Sequence, residues 1–163
     1  MKTLILYYSG TGKTEIVAKT LSSQLSGDLL KVTDHKERNS FKSRIRSAID
    51  AFRENKTKIS PKKLDLDDYD LIYVGTPVWM TNPVPAIITA IDTYNFKGKN
   101  IVLFATMKNV GGNKAIKRMD EKFQSRGARV INSFTIKTQD KNTSQITGDT
   151  LSVIRLLNLN SNL

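Results

Sequence analysis

The sequence predicts an α/β protein, a doubly wound three-layer arrangement in which a five-stranded parallel sheet is covered by helices on both faces. Two observations carry this reading. Short β-branched or apolar runs alternate with amphipathic stretches along the chain, the pattern of strands that must be buried on both sides. The first run also leads through a glycine-containing turn directly into a helical pattern.

Strands are expected over residues 3–8, 28–33, 71–76, 100–106 and 129–135. Val17, Leu21 and Leu25 recur at intervals of four and mark the buried stripe of a first helix. Phe41, Ile45, Ile49 and Phe52 do the same for a second, whose other face carries Lys42, Arg44, Arg46 and Arg53. Pro83 and Pro85 open a third helix through Ile87, Ile88 and Ile91, because a proline in the first turn gives up only an N–H that has no partner there. A fourth helix is expected over 112–124 and a fifth over 145–156, with a frayed tail beyond.

At 163 residues the chain suits one domain, read over 1–163, able to bury about two-thirds of its unfolded surface. No apolar run approaches the length of a membrane span or a signal-peptide core, and the expectation is a soluble cytoplasmic protein, monomeric or weakly dimeric. With no cysteine, thiolate metal sites, cysteine nucleophiles and disulfides are excluded. His35 is the sole histidine and stands near no nucleophile elbow, which leaves no Ser-His-Asp triad. No catalytic side chain and no metal site is expected.

The net charge of +11 is unevenly spread. Residues 31–63 hold eleven Lys/Arg against Asp34, Glu37, Asp50 and Glu54, and a second cluster comprises Lys108, Lys114, Lys117, Arg118, Lys122, Arg126 and Arg129. Asp65, Asp67, Asp68 and Asp70 form a short acidic patch between them. Such asymmetry suits an acidic partner protein, a nucleic acid or an anionic surface.

After the first strand comes Ser9-Gly10-Thr11-Gly12-Lys13-Thr14. A strand-to-helix turn of this kind aims free N–H groups and the positive end of a helix dipole at one point, where an anion belongs. Gly10 and Gly12 let the backbone close around it, and the hydroxyls of Ser9, Thr11 and Thr14 add uncharged donors. Gly12-Lys13-Thr14 also matches the end of a Walker A motif, but the glycine required five positions earlier is Tyr7, which argues against an NTPase.

The run from Ile5 through Tyr8, Ser9-Gly10-Thr11-Gly12-Lys13-Thr14 and on to Leu21 resembles the phosphate signature of the short-chain flavodoxin family. That resemblance implies a sheet order of 2-1-3-4-5 and non-covalent FMN as cofactor, with its phosphate held by Ser9, Thr11, Gly12 and Thr14. Lys13 departs from the family, where asparagine is usual; its ammonium either strengthens phosphate binding or points to solvent. A second loop, Thr76-Pro77-Val78-Trp79-Met80-Thr81-Asn82, holds the only tryptophan and resembles the segment flanking the flavin ring. There Trp79 would stack, worth roughly 0.5–1.5 kcal/mol beyond burial, and backbone groups of residues 80–82 would lie near flavin N5. A third, Thr106-Met107-Lys108-Asn109-Val110-Gly111-Gly112, has glycines that permit close approach to the pyrimidine end of a flavin, although a plain turn explains them equally. It lacks the tyrosine many flavodoxins carry; Met107 or Val110 covers the second ring face, or that face stays open to a substrate.

Response-regulator receivers share this topology but need carboxylates where Tyr8, Ser9 and Thr76 stand. The resemblance implies an electron-transfer protein in which the flavin carries the redox chemistry; the basic surface, a departure from a family that is commonly acidic, suggests an acidic docking surface on the redox partner. The alternative is an FMN-dependent NAD(P)H or quinone reductase. A flavin-free module binding nucleic acid through its basic face would leave Trp79 beside an intact anion loop unexplained.

Overall fold

The computed structural model describes residues 1–35 and 57–160. The chain order is β1 (Thr3–Tyr7), α1 (Lys13–Leu25), β2 (Asp28–Lys31), β3 (Thr33–Asp34), β4 (Ile59–Ser60), β5 (Leu71–Trp79), β6 (Asn82–Pro83), α2 (Pro85–Thr93), β7 (Asn100–Met107), α3 (Gly112–Ser125), β8 (Arg129–Lys137) and α4 (Thr143–Asn160). The expected helix around Phe41 to Phe52 lies outside the described residues.

The central sheet runs β2-β1-β5-β7-β8 with every pairing on that path parallel, which is the expected 2-1-3-4-5 order. Alternation along each strand builds two cores. Leu4, Leu6, Ile72, Val74, Ile101 and Leu103 face α2 and α3, meeting Ile87, Ile91, Met119 and Phe123. Ile5, Tyr7, Tyr73, Val102 and Phe104 face α1 and α4, meeting Val17, Leu21, Ile146 and Ile154. One residue of slip would exchange the two sets, and because both faces are covered the register is tightly specified.

On the α1/α4 face, register places Gly75 between Tyr7 and Phe104. The Phe104 ring occupies the space a side chain would need: a Cβ on Gly75 would stand 2.0 Å from its Cζ. Phe104 in turn stacks on Phe134 of β8, with ring centroids 5.6 Å apart.

Several elements differ from the sequence reading. β5 runs on to Trp79 and folds back antiparallel into β6, adding a sixth strand to the sheet, so Trp79 ends a strand where a loop tip was expected. Pro77 is tolerated in β5 because the strand has outrun β1 there and pairs only with β7. Pro83 belongs to β6, and Pro85 alone opens α2. The expected frayed tail is helical to Asn160. The second strand stops at Lys31, and β3 enters a separate antiparallel pair with β4. On β8 one residue, Ile131, is extra: Val130 pairs Ile101 and Asn132 pairs Val102, which leaves Ile131 49% exposed on the edge strand.

Tyr94, buried behind α2, donates its hydroxyl hydrogen to the carbonyl of Pro61, and burial pushes its pKa up from 10.0 to about 12.

Two stability measurements follow from this packing. Gly75→Ala should destabilise the fold by about 1–3 kcal/mol through overpacking against Phe104, read as a lower urea midpoint; an unchanged midpoint would mean that the ring can yield. The Tyr94 phenol holds its proton more tightly folded than unfolded, so its share of stability is complete below pH 10 and is lost as pH rises toward about 12. Urea melts of Tyr94→Phe should show a shallower decline over that window than the parent protein.

Candidate functional site

The chain leaves β1 outward to β2, then returns across it to β5, so the winding reverses between β1 and β5. Ligands of doubly wound sheets bind beyond the strand C-termini at such a reversal. A cleft of about 1370 Å³ opens there, larger than the roughly 300–1,000 Å³ of common ligand pockets.

Its floor is the turn from β1 to α1. Gly12, at φ 90°, sets the left-handed entry to α1, a conformation that glycine adopts without strain. Ser9 is buried, and its Oγ accepts the N–H groups of Gly12 at 3.1 Å and Glu15 at 3.3 Å. The N–H groups of Gly10, Thr11, Lys13 and Thr14 have no acceptor among the described residues. Four unspent donors at the positive end of a thirteen-residue helix form an anion cradle. The nearby Glu15 carboxylate is drawn to Lys19 at 2.9 Å and Lys31 at 3.0 Å, and these bonds hold its pKa below the usual range.

Two side chains fasten this turn to the sheet and to the far wall. Thr14 and Thr106 share a buried hydroxyl–hydroxyl hydrogen bond of 2.7 Å; the Thr14 hydroxyl therefore braces the loop from behind. Lys13 resolves its open alternatives in a third way, donating from Nζ to the Lys141 carbonyl at 2.9 Å. Lys141 pairs with Asp149 of α4 at 2.6 Å.

The opposite wall is the end of β5. Pro77, Val78, Trp79 and Met80 line the cleft together with Ser9, Gly10, Thr11 and Lys13. Trp79 is half-buried and meets Tyr8 edge-on, with centroids 5.9 Å apart at 89°. Gly10 lies beneath the pair, where an added Cβ would be 3.7 Å from Tyr8 and 3.9 Å from Trp79. Met80 and Thr81 turn the hairpin with φ of 45° and 65°, costly for residues with a Cβ. Asn82 holds that turn, donating from Nδ2 to the Met80 carbonyl at 2.9 Å and accepting from Arg118 Nη1 at 2.9 Å. Thr76 is a buried support, its Oγ1 accepting the Val84 N–H at 3.1 Å and donating to the Pro77 carbonyl at 2.8 Å.

From the third loop, Thr106, Met107 and Lys108 line the cleft. Gly111 and Gly112 line a separate hollow of about 380 Å³ instead. Their small size serves packing: at Gly111, with φ 93°, a Cβ would lie 3.1 Å from Thr81 Cα, and Gly112 donates its N–H to Met107 Sδ at 3.3 Å.

Sequence reasoning missed Tyr8, the lip at Lys31 and Asp34, and a whole wall formed by residues 138–142 after β8. The one local signal for that wall was Asn142 three residues before Gln145, whose side chains and backbones bond reciprocally as a capping box at 2.9 Å each. Among the described residues no group of His, Cys, Asp or Glu is arranged to hold a metal, and no helix is long and apolar enough to cross a membrane.

The doubly wound sheet thus carries, at its switch point, a cleft that joins a turn with unspent N–H donors to an indole wall. The family model for flavodoxin matches residues 2–142, and the chain belongs to the flavodoxin family. Flavodoxin of Nostoc sp. (strain PCC 7120) is 22% identical over 149 residues, spanning 86% of this chain and 74% of that one. Among solved structures, a flavoprotein from Lactobacillus acidophilus in complex with FMN is 27% identical with TM-score 0.72, covering 82% of this chain and 92% of its own. Oxidised flavodoxin 1 from Bacillus cereus, at 18% identity, shares the fold with TM-score 0.57 over 95% of this chain and 98% of that one.

The Thr14–Thr106 bond supplies a test of the brace. Thr14→Val or Thr106→Val alone leaves a buried hydroxyl without its partner and should cost about 1–3 kcal/mol. The double variant should cost clearly less than the sum of the two, measured as a coupling energy from urea melts; strict additivity would show that the two hydroxyls do not act together.

Proposed function

We propose that this chain binds FMN non-covalently in the switch-point cleft and acts as an electron carrier between redox partners. The observation that carries the reading is the juxtaposition of the four unspent N–H donors of Gly10, Thr11, Lys13 and Thr14 with the Trp79 wall. A phosphate ester fits the cradle without a bound cation, and an aromatic heterocycle fits the indole. Family membership and the FMN held by the Lactobacillus acidophilus flavoprotein support the same cofactor.

In this proposal the flavin supplies the redox chemistry, and the chain binds and orients it. Ser9, Gly10, Thr11, Gly12 and Lys13 surround the phosphate, with Thr14 bracing from behind. Pro77, Val78, Trp79 and Met80 flank the ring on one side, and Thr106, Met107 and Lys108 on another. Thr76, Thr81, Asn82, Gly111 and Gly112 shape those loops from outside the cleft. Lys13, Lys31, Lys108 and Lys141 line the opening together with Asp34 and Asp140, with Lys31 paired to Glu15 and Lys141 to Asp149. The whole chain is read as one cytoplasmic domain.

A second reading, an FMN-dependent NAD(P)H or quinone reductase, draws on one feature: the third loop carries no aromatic residue between Met107 and Gly112, so a ring seated on Trp79 gains no second aromatic cover from it. Steady NAD(P)H consumption with a quinone acceptor would favour the enzyme; its absence favours the carrier.

Because Trp79 is the only tryptophan, its emission reports on the site directly. Titrating FMN should quench it to a one-to-one endpoint, and flavin fluorescence should show Trp79→Ala binding about tenfold more weakly, the equivalent of about 1.4 kcal/mol. An unquenched indole and no heat in calorimetry would end the proposal.

A further inference from the structure

The turn between β5 and β6 is made by two residues that its backbone does not favour. In this hairpin Val78 pairs with Pro83 and Trp79 with Asn82, so Met80 and Thr81 alone close it, at φ of 45° and 65°. Two-residue hairpin turns with positive φ at both central positions are ordinarily filled by glycine, asparagine or aspartate, and a β-branched residue such as threonine is poorly suited to them. Strain of this kind persists only where the surroundings over-determine it, and it gathers at ligand clamps. Trp79 and Met80, which this turn carries, both line the cleft.

The surroundings that fix the turn come from α3. Asn82 is buried and uses both ends of its amide: Nδ2 donates to the Met80 carbonyl at 2.9 Å, and Oδ1 accepts from Arg118 Nη1 at 2.9 Å. The guanidinium sets the sense of this relay. It can only donate, so the side of Asn82 that faces it must be the oxygen, which leaves the amide N–H groups for Met80. Thr81 also packs against the α3 N-cap, where a Cβ on Gly111 would stand 3.1 Å from Thr81 Cα. The helix that delivers Arg118 is itself tied down: Arg118, Lys122 and Arg126 recur at intervals of four along α3 and its C-cap, and Lys122 and Arg126 reach Asp92 of α2 at 3.2 and 2.9 Å. Arg118 is not among the residues that line the cleft.

We infer that Arg118 is a positioning residue for the indole wall: acting through Asn82, it keeps the Met80–Thr81 turn in its left-handed conformation and so holds Trp79 and Met80 where a planar ring can lie against them. A glycine turn would take that conformation unaided; the Met-Thr turn takes it while the relay holds. That the ring is a flavin rests on the cofactor reading above.

The test uses the full-length protein, first without cofactor and then with FMN. Near-ultraviolet circular dichroism of the cofactor-free protein reports the edge contact of Trp79, the only tryptophan, with Tyr8. Arg118→Met, which keeps the length and removes the donor, should weaken that indole band and bind FMN about tenfold less tightly, read from Trp79 quenching. Asn82→Asp still pairs with Arg118 but cannot donate to the Met80 carbonyl, so it should reproduce both changes; parental behaviour would show that the connection does not run through Asn82 and overturn the assignment. Thr81→Gly supplies the rescue, because in that background the turn needs less holding and Arg118→Met should weaken FMN binding by less than about threefold. A loss of equal size in both backgrounds would mean general damage to the fold and would overturn the assignment too. If the parent protein takes FMN and Arg118→Met takes it equally well, the positioning role is rejected and the cofactor reading stands. If the parent takes no FMN, the cofactor reading fails, and the indole band of the three variants alone decides for or against Arg118.

Discussion

Much of the site depends on what one buried hydroxyl oxygen does. Ser9 Oγ accepts two backbone N–H groups, those of Gly12 and Glu15, and so performs from three residues upstream the capping that Gly12, with no side chain, cannot. That division of labour lets the residue at the helix start be a glycine, with the left-handed backbone the tight turn needs, while the Glu15 N–H in the first turn of α1 is still capped. It also fixes which donors are consumed inside the turn and which are left pointing to a ligand. Thr14, tied to Thr106, sets the same turn against β7.

Much of this architecture was legible locally. Strand alternation and the four-residue helical spacing gave the layers, and the glycines around Thr11 gave the anion turn, because these rest on backbone geometry that a short window encodes. What was not legible depends on partners distant in sequence. Trp79 read as a loop residue, whereas β5 runs on through Pro77 to reach it, which the early end of β1 makes acceptable. Gly111 and Gly112 read as room for a ligand, yet the neighbours that claim the room are Thr81, Thr135 and Met107. The role of Lys13 could not be read at all, since its acceptor is a backbone carbonyl 128 residues away. The wall after β8 was invisible for the same reason.

The charge distribution has two different fates. Some cations are spent on structure: Lys122 and Arg126 on Asp92, Lys31 and Lys19 on Glu15, Lys141 on Asp149. The Lys19–Glu15 and Lys141–Asp149 pairs lie at the surface and are each worth at most about 1 kcal/mol, whereas Asp92 is only 11% exposed. Lys108 and Lys114 have no carboxylate partner among the described residues; Lys108 lines the cleft and Lys114 the separate hollow. Composition alone counts both kinds equally; the structure separates them.

The extra residue on β8 has its own effect on behaviour in concentrated solution. A parallel edge strand nine residues long offers an unsatisfied ladder to any other chain, the geometry from which fibrillar assemblies grow. With Ile131 pushed out of step, the hydrogen-bonding row is broken near its start and the strand twists away from flatness. A single misaligned isoleucine thus keeps the outer edge of the sheet from presenting nine residues in unbroken register.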